Sequence, residues 1–347
     1  MTNNLEKKTK LESIKQAVGK AGPVVALVLM CVFLAIANPN FLTVSNLLSV
    51  AGQASYSGFL ALGMMVCILT AGIDLSVGFT MTLSSVVMAT LAVKLGVHPL
   101  ISLLMAIVVG AFLGLINGLL LTACKLPHPF ISTMGTQNIF KGLSLVITGA
   151  TPIAGLPLII TWAGSGFLSN NRASFLGKIP VSFVLMLIMF AIFAIFLNYT
   201  PLGRHIYAVG GNIETAKLSG INVNFVRTIV YVISGITAAM GGIILAGRTD
   251  SAYPLSGLLL ENDAIASVII GGTSFFGGKG TVSGTLSGVL LIAVLRNGLN
   301  LLNVNADIQT VVIGAVIIVA VFIDVIRSGA FSGVKRKQKN PQLTENS

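Results

Sequence analysis

Apolar residues run along this chain in blocks too long for the interior of a soluble domain, separated by short polar or glycine-bearing breaks. A membrane-spanning helix needs about 20 mostly apolar residues. Ten blocks meet or approach that length: 22–37, 46–70, 75–94, 98–122, 129–148, 180–198, 225–247, 262–277, 282–302 and 307–326. The pattern predicts an all-α polytopic membrane protein with about 10 transmembrane helices. Span 1 is short, and spans 5 and 8 read equally as broken or re-entrant, which leaves 8 as the alternative count. The organisation is one transmembrane domain, 22–327, between polar tails at 1–21 and 328–347.

One polar stretch stands out, 199–224, because it lies between two of the most apolar blocks. It predicts a short helix over Asn212–Gly220. Asn212 supplies an N-cap and Glu214 complements the positive end of the dipole. Lys217 falls in the last turn, and Gly220 suits the left-handed position beyond it. Ile213, Ala216 and Gly220 then share one small, weakly apolar face. Such a face reads as a docking element ahead of a plain solvated connector.

Composition agrees with the pattern. Of 347 residues, 54% are hydrophobic and 9% charged, against about 25% charged in soluble domains. The net charge of +11 does not point to nucleic acid, because the basic residues cluster beside the blocks. Lys7, Lys8, Lys10, Lys15 and Lys20 precede the first, and Arg327, Lys335, Arg336, Lys337 and Lys339 follow the last. Such clusters mark cytoplasmic ends. An even span count then puts both termini inside, with Lys125, Arg204, Lys217, Arg227 and Lys279 inside and Lys94, Arg172, Lys178 and Arg248 outside. The lysine-rich lead with Ala35-x-Ala37 imitates a signal peptide, but the many later spans favour an uncleaved first helix. Cys31, Cys67 and Cys124, and His98, His128 and His205, are scattered without metal-ligand spacing. The long break 149–179, with Trp162 as an interfacial anchor, is a surface loop by default.

Candidate chemistry is sparse. The run Ile269–Gly288 is too rich in glycine to stay one helix, and non-helical backbone at membrane depth is tolerated where it is buried or lines a water-filled cavity. It is not a phosphate loop, since Thr273 and Gly280 stand where that signature needs a glycine and a hydroxyl. Asp74 reads as a functional intramembrane acid or, equally, as a cap for span 3. Asp263, Asp307 and Asp324 sit at span edges, where capping explains them. Gln53, Asn117, Asn138, Asn297 and Asn300 either bond between helices or meet a polar solute. Gly110-x3-Gly114-x3-Gly118 and Gly284-x3-Gly288 are helix-packing spacings. No catalytic constellation lies in one neighbourhood.

Several stretches in order carry a resemblance: NLLSV (46–50), GIDLSVG (72–78), PFISTMG (129–135), KGLSLVITG (141–149), GRHIYAVGGN (203–212) with AKLSGI (216–221), IGGTSFFGGKGTVSGT (270–285) and NGLNLLNV (297–304). The chain resembles the ribose-type permease subunits of bacterial ABC importers over about 22–327. It departs from them at His128, Thr215, Lys217 and Ile313. The resemblance implies a type II importer fold in the bacterial inner membrane, a second permease chain (a homodimer), a separate ABC ATPase holding ATP and Mg, and an extracytoplasmic sugar-binding protein. It implies a transport subunit, not an enzyme, with no cofactor of its own. The cargo would be a ribose-like pentose, a hexose or a related polyol. Gly203, Arg204, Gly210, Asn212, Glu214, Ala216, Lys217, Ser219 and Gly220 are the expected ATPase-coupling residues. Gln53, Asp74, Asn138, Gly271, Gly272, Thr273, Ser274, Gly277, Gly278 and Asn297 are the candidates for the translocation pathway. The competing reading is an ion-coupled secondary sugar transporter, for which Asp74 is the one plausible titrating group.

Overall fold

The computed structural model describes residues 22–169 and 176–327. The two basic tails and the Asn170–Asn171 pair with Arg172 lie outside them. The described chain is helical almost throughout. In order it forms α1 (Gly22–Ala37), α2 (Val44–Leu69), α3 (Val77–Ala89, continued by a wider turn to Lys94), α4 (Pro99–Thr122), α5 (Pro129–Thr148) and the short α6 (Leu158–Ser165). Then come α7 (Val181–Tyr199), α8 (Pro201–Gly211), α9 (Ile213–Leu218), α10 (Val223–Thr249), α11 (Leu260–Ile270), α12 (Val282–Leu301) and α13 (Ala306–Arg327). Seven of these are long and apolar enough to cross a membrane: α2, α3, α4, α7, α10, α12 and α13.

Helix boundaries follow local chemistry. Proline opens α4, α5 and α8, where its missing N–H removes nothing from the helix. Thr200, Asn222 and Thr281 cap α8, α10 and α12 by accepting from the backbone N–H three residues on, at 3.1, 3.0 and 3.1 Å. Gly149 ends α5 in the left-handed conformation, φ 65°.

The centre of the bundle is α2, whose residues from Ala54 to Leu69 are almost all fully buried. Around it pack α10, α11, α12 and α7, and α10 in turn holds α3, α4 and α6. Lipid tails are as apolar as leucine, so close packing rather than water exclusion binds such helices together. The glycine ladders serve that need. A Cβ on Gly110 would overlap the carbonyl of Gly235 and one on Gly235 the carbonyl of Gly110, so α4 and α10 touch backbone to backbone. Gly114 and Gly118 extend the contact to Tyr231 and Thr228, while Gly284 and Gly288 seat α12 on Gly271 and Ser267.

Two expectations change. The break 149–179 is more than a surface loop: Ile153–Ala154 pairs antiparallel with Ser251–Ala252, and α6 lies on α10 through Gly164 against Gly247. Span 8 is shorter and shifted. Its helix ends at Ile270, and the approach to it, 250–259, is non-helical and drops between α3 and α10, where Gly257 meets Gly78 backbone to backbone. The glycine run breaks the helix, as its composition predicts, and does so at one end of the bundle. Gly278 N–H donates to the Leu69 carbonyl at 2.9 Å, Tyr207 Oη to the Gly280 carbonyl at 3.0 Å, and Asp324 accepts from Phe275 N–H at 2.9 Å. Loop 271–281 therefore closes the end of the bundle that carries α8 and α9, with Gly272, Gly277 and Gly278 at φ 87°, 85° and 70°.

Replacing Gly235 by leucine should separate α4 from α10 and lower stability by about 3 kcal/mol. Gly314→Leu, which enters open space on α13, should change it by less than about 0.5 kcal/mol. Thermal unfolding of the purified protein in detergent compares the two.

Candidate functional site

The polar residues gather into a buried hub, a set of interhelical links and an exposed element at one end. The hub is Asp74, in the turn between α2 and α3 and 1% exposed. Its Oδ1 accepts from Ser76 N–H at 3.0 Å and from Ser76 Oγ at 2.7 Å, and its Oδ2 from Ser234 Oγ on α10 at 2.8 Å. Ser76 Oγ in turn accepts from Asn117 Nδ2 on α4 at 2.7 Å, and Asn117 Oδ1 from Thr136 Oγ1 on α5 at 2.6 Å. The neighbouring Ile73 carbonyl takes Tyr231 Oη at 3.3 Å. One carboxylate thus ties α3, α4, α5 and α10. Of the two sequence readings for Asp74, the local turn into α3 is present in its two bonds from Ser76, and the bond from Ser234 adds a long-range tie.

The first turn of α11 holds two more buried acids. Asp263 is paired in bidentate fashion with Arg296 of α12, at 2.7 and 2.8 Å, and is no edge-capping residue. Glu261 accepts from Gln137 Nε2 of α5 at 3.1 Å, and its Oε2 is buried with no hydrogen-bond partner among the described residues. Glu261, Gln137 and Arg296 are absent from the sequence-derived candidates. The available signal was ionisable residues inside apolar blocks, obscured because Asp263 lay so near a predicted span boundary.

The other pathway candidates scatter. Asn297 exchanges two hydrogen bonds with Asn46, 2.9 and 2.7 Å, and so staples α12 to α2. Gln53 is half-buried on α2. Asn138 is exposed on α5, its Nδ2 donating to the Met134 carbonyl one turn back at 3.0 Å. Gly271, Gly272, Thr273, Ser274, Gly277 and Gly278 belong to the end loop. Beside that loop, Phe275 with Ala71, Ile73, Pro129 and Phe130 lines a cavity of about 460 Å³.

The exposed element is α8 with α9. The amphipathic α8, unmarked in the sequence reading, buries Gly203, Ile206 and Val209 and leaves Arg204 exposed. Its Gly210 abuts the Leu69 carbonyl and the Gly278 amide. Asn212 caps α9, accepting from Thr215 N–H at 2.9 Å, Lys217 pairs with Glu214 at 2.9 Å, and Gly220 lies at φ 80°. The orientation is the reverse of the expected one. Ala216 is 3% exposed and Ile213 half-buried, because that face packs on the chain's own core. Glu214, Thr215, Lys217, Leu218 and Ser219 face outward, and Leu218 is 89% exposed.

Comparison with known proteins places these features in context. A family model described as branched-chain amino acid transport system / permease component matches residues 46–321. The ribose import permease protein RbsC of Bacillus subtilis is 43% identical over 323 residues, 93% of this chain and 98% of that protein. The D-allose transport system permease protein AlsC of Escherichia coli is 41% identical over 298 residues, 86% of this chain and 88% of its own. The galactose/methyl galactoside import permease protein MglC of Escherichia coli is 35% identical over 339 residues, 93% and 98% of the two chains. No solved structure matches the chain.

Asp74→Ala should strand three donors at once and lower stability by about 3 kcal/mol, whereas Ser234→Ala removes one charged hydrogen bond and should lower it by about 1.5 kcal/mol. Equal detergent melting temperatures for Asp74→Ala and the parent protein would show that the carboxylate is not the organising group.

Proposed function

The chain belongs to the family of transport-system permease components, and from that premise we propose that it is the membrane-spanning subunit of an ATP-driven importer for a monosaccharide. It is a multi-pass membrane protein of a bacterial inner membrane. In this reading the three remaining crossings are α1, α5 and the composite of segment 250–259 with α11, which makes ten. The end bearing α8, α9 and loop 271–281 faces the cytoplasm, because Lys125, Arg204, Lys217, Arg227 and Lys279 lie towards it. ATP and Mg bind a separate ATPase subunit, and an extracytoplasmic binding protein delivers the cargo at the opposite end.

The observation that carries the reading is α9: an exposed leucine closing a capped six-residue helix at the end of the bundle, preceded by the Glu214–Lys217 ion pair. An apolar side chain held out at that end fits an anchor for a pocket on a partner. Behind it, α8 leans on Leu69 and Gly278, so a push on α9 reaches both the end of α2 and the glycine loop. A second copy of the chain is supported by α5. Its outward side carries Gly135, Asn138 and Gly142, with open space beside both glycines, and it is less apolar than the seven spanning helices. The same side exposes Ile131, Met134, Ile139 and Val146, so two such faces opposed would pack through apolar and small residues around Asn138. Ion coupling is disfavoured, because both oxygens of Asp74 are engaged by Ser76 and Ser234.

The relatives transport ribose, allose and galactose by their names, so the direct test is ATP-dependent uptake in vesicles of the chain with its partner subunits. Uptake of D-ribose, D-allose or D-galactose is expected; uptake of L-leucine in their place would overturn the sugar reading. For coupling, Leu218→Asp should insert normally yet bind the ATPase about thirtyfold more weakly, the effect of losing a buried anchor. Ser165→Asp, on α6 at the opposite end, should leave binding unchanged. Affinity capture of the ATPase reports both. In a background without Cys31, Cys67 and Cys124, a cysteine at Ser219 should react only with reagent applied from the cytoplasm.

A further inference from the structure

Under the two-stranded sheet, at the end opposite α9, α3, α10 and segment 250–259 enclose a cavity of about 250 Å³. Its polar lining is Ser85, Thr249, Ser251, Tyr253 and Ser256. We propose that this cavity is a subsite for one neutral monosaccharide; the proposal rests on the importer reading above.

Three observations carry it. The backbone here is non-helical although apolar helices flank it, and at membrane depth such backbone is expected where it meets a polar cavity. The hydroxyl protons are already committed in part. Ser85 donates to the Thr82 carbonyl at 2.8 Å and Thr249 to the Ser251 carbonyl at 3.0 Å, while Ser256 and Thr82 hydroxyls share a contact at 3.2 Å. Their oxygens keep lone pairs for a ligand that brings many O–H donors, and Tyr253, 45% exposed, offers a ring face and a phenol. Finally, among the described residues no charged side chain lines the cavity. Asp250 turns away to accept from Leu156 N–H at 2.8 Å, and Arg248 reaches the Ser49 carbonyl of α2 at 3.4 Å. A zwitterionic amino acid would bury two unmatched charges there, whereas a polyol buries none.

The chain is co-reconstituted with its ATPase and saturating loaded binding protein, and uptake of radiolabelled D-ribose, D-allose and D-galactose is measured beside ATP hydrolysis. Tyr253→Ala and Ser256→Val should lower sugar moved per ATP by about tenfold and change the order of the three sugars, with stimulated hydrolysis kept. Where Ser256→Val disturbs its contact with Thr82, the exposed Tyr253→Ala decides alone. Variants that match the parent in sugar per ATP and in sugar order overturn the subsite. A parent complex that moves none of the three sugars overturns the importer reading and the subsite with it.

Discussion

The bundle depends on one buried carboxylate. A buried carboxyl group is tolerated only when it is hydrogen-bonded, and Asp74 accepts three such bonds from Ser76 and Ser234. That demand sets positions well beyond the turn. Ser76 is held so that Asn117 can reach it, and Asn117 so that Thr136 can. The register of α3, α4, α5 and α10 is therefore set by a polar chain, while glycine contacts such as Gly110 on Gly235 set how close the helices come. Greasy side chains alone would leave these helices free to rotate, since one apolar face suits lipid as well as another.

The same turn connects the hub to the end of the molecule. Leu69 closes α2, its carbonyl accepts from Gly278, and Gly210 of α8 rests against it. Displacement of α9 has a short physical route to the turn holding Asp74 and to loop 271–281. The loop is glycine-rich because Gly272, Gly277 and Gly278 need positive φ, and the last two also meet the backbone of Gly210 and Gly211.

At the other end, a helix that begins only at Leu260 gives the bundle its discontinuity. Segment 250–259 trades helical hydrogen bonds for contacts with α3, α10 and the short strand at 153–154. Just below it, the acids of α11 are matched by Gln137 and Arg296. One buried ion pair, Asp263 with Arg296, and one amide donor, Gln137 to Glu261, hold these ionisable groups inside an otherwise apolar chain.

The sequence alone determined the polytopic all-α class, the bounds of the long helices apart from α11, the cap and charges of α9 and the small-residue packing ladders. These are local or periodic properties: a block of apolar residues, an asparagine before a turn and a glycine every fourth residue keep their meaning wherever the chain goes. Tertiary structure decided which way faces point and which polar groups meet. Ala216 and Leu218 sit two residues apart on one short helix, and only packing against the core says that the first is inside and the second outside. Asp263 looks like a helix edge until Arg296, 33 residues on, is placed beside it. Asp74 and Ser234, 160 residues apart, leave no mark of their pairing in either neighbourhood, because a hydrogen bond between distant segments depends on how whole helices pack rather than on local pattern.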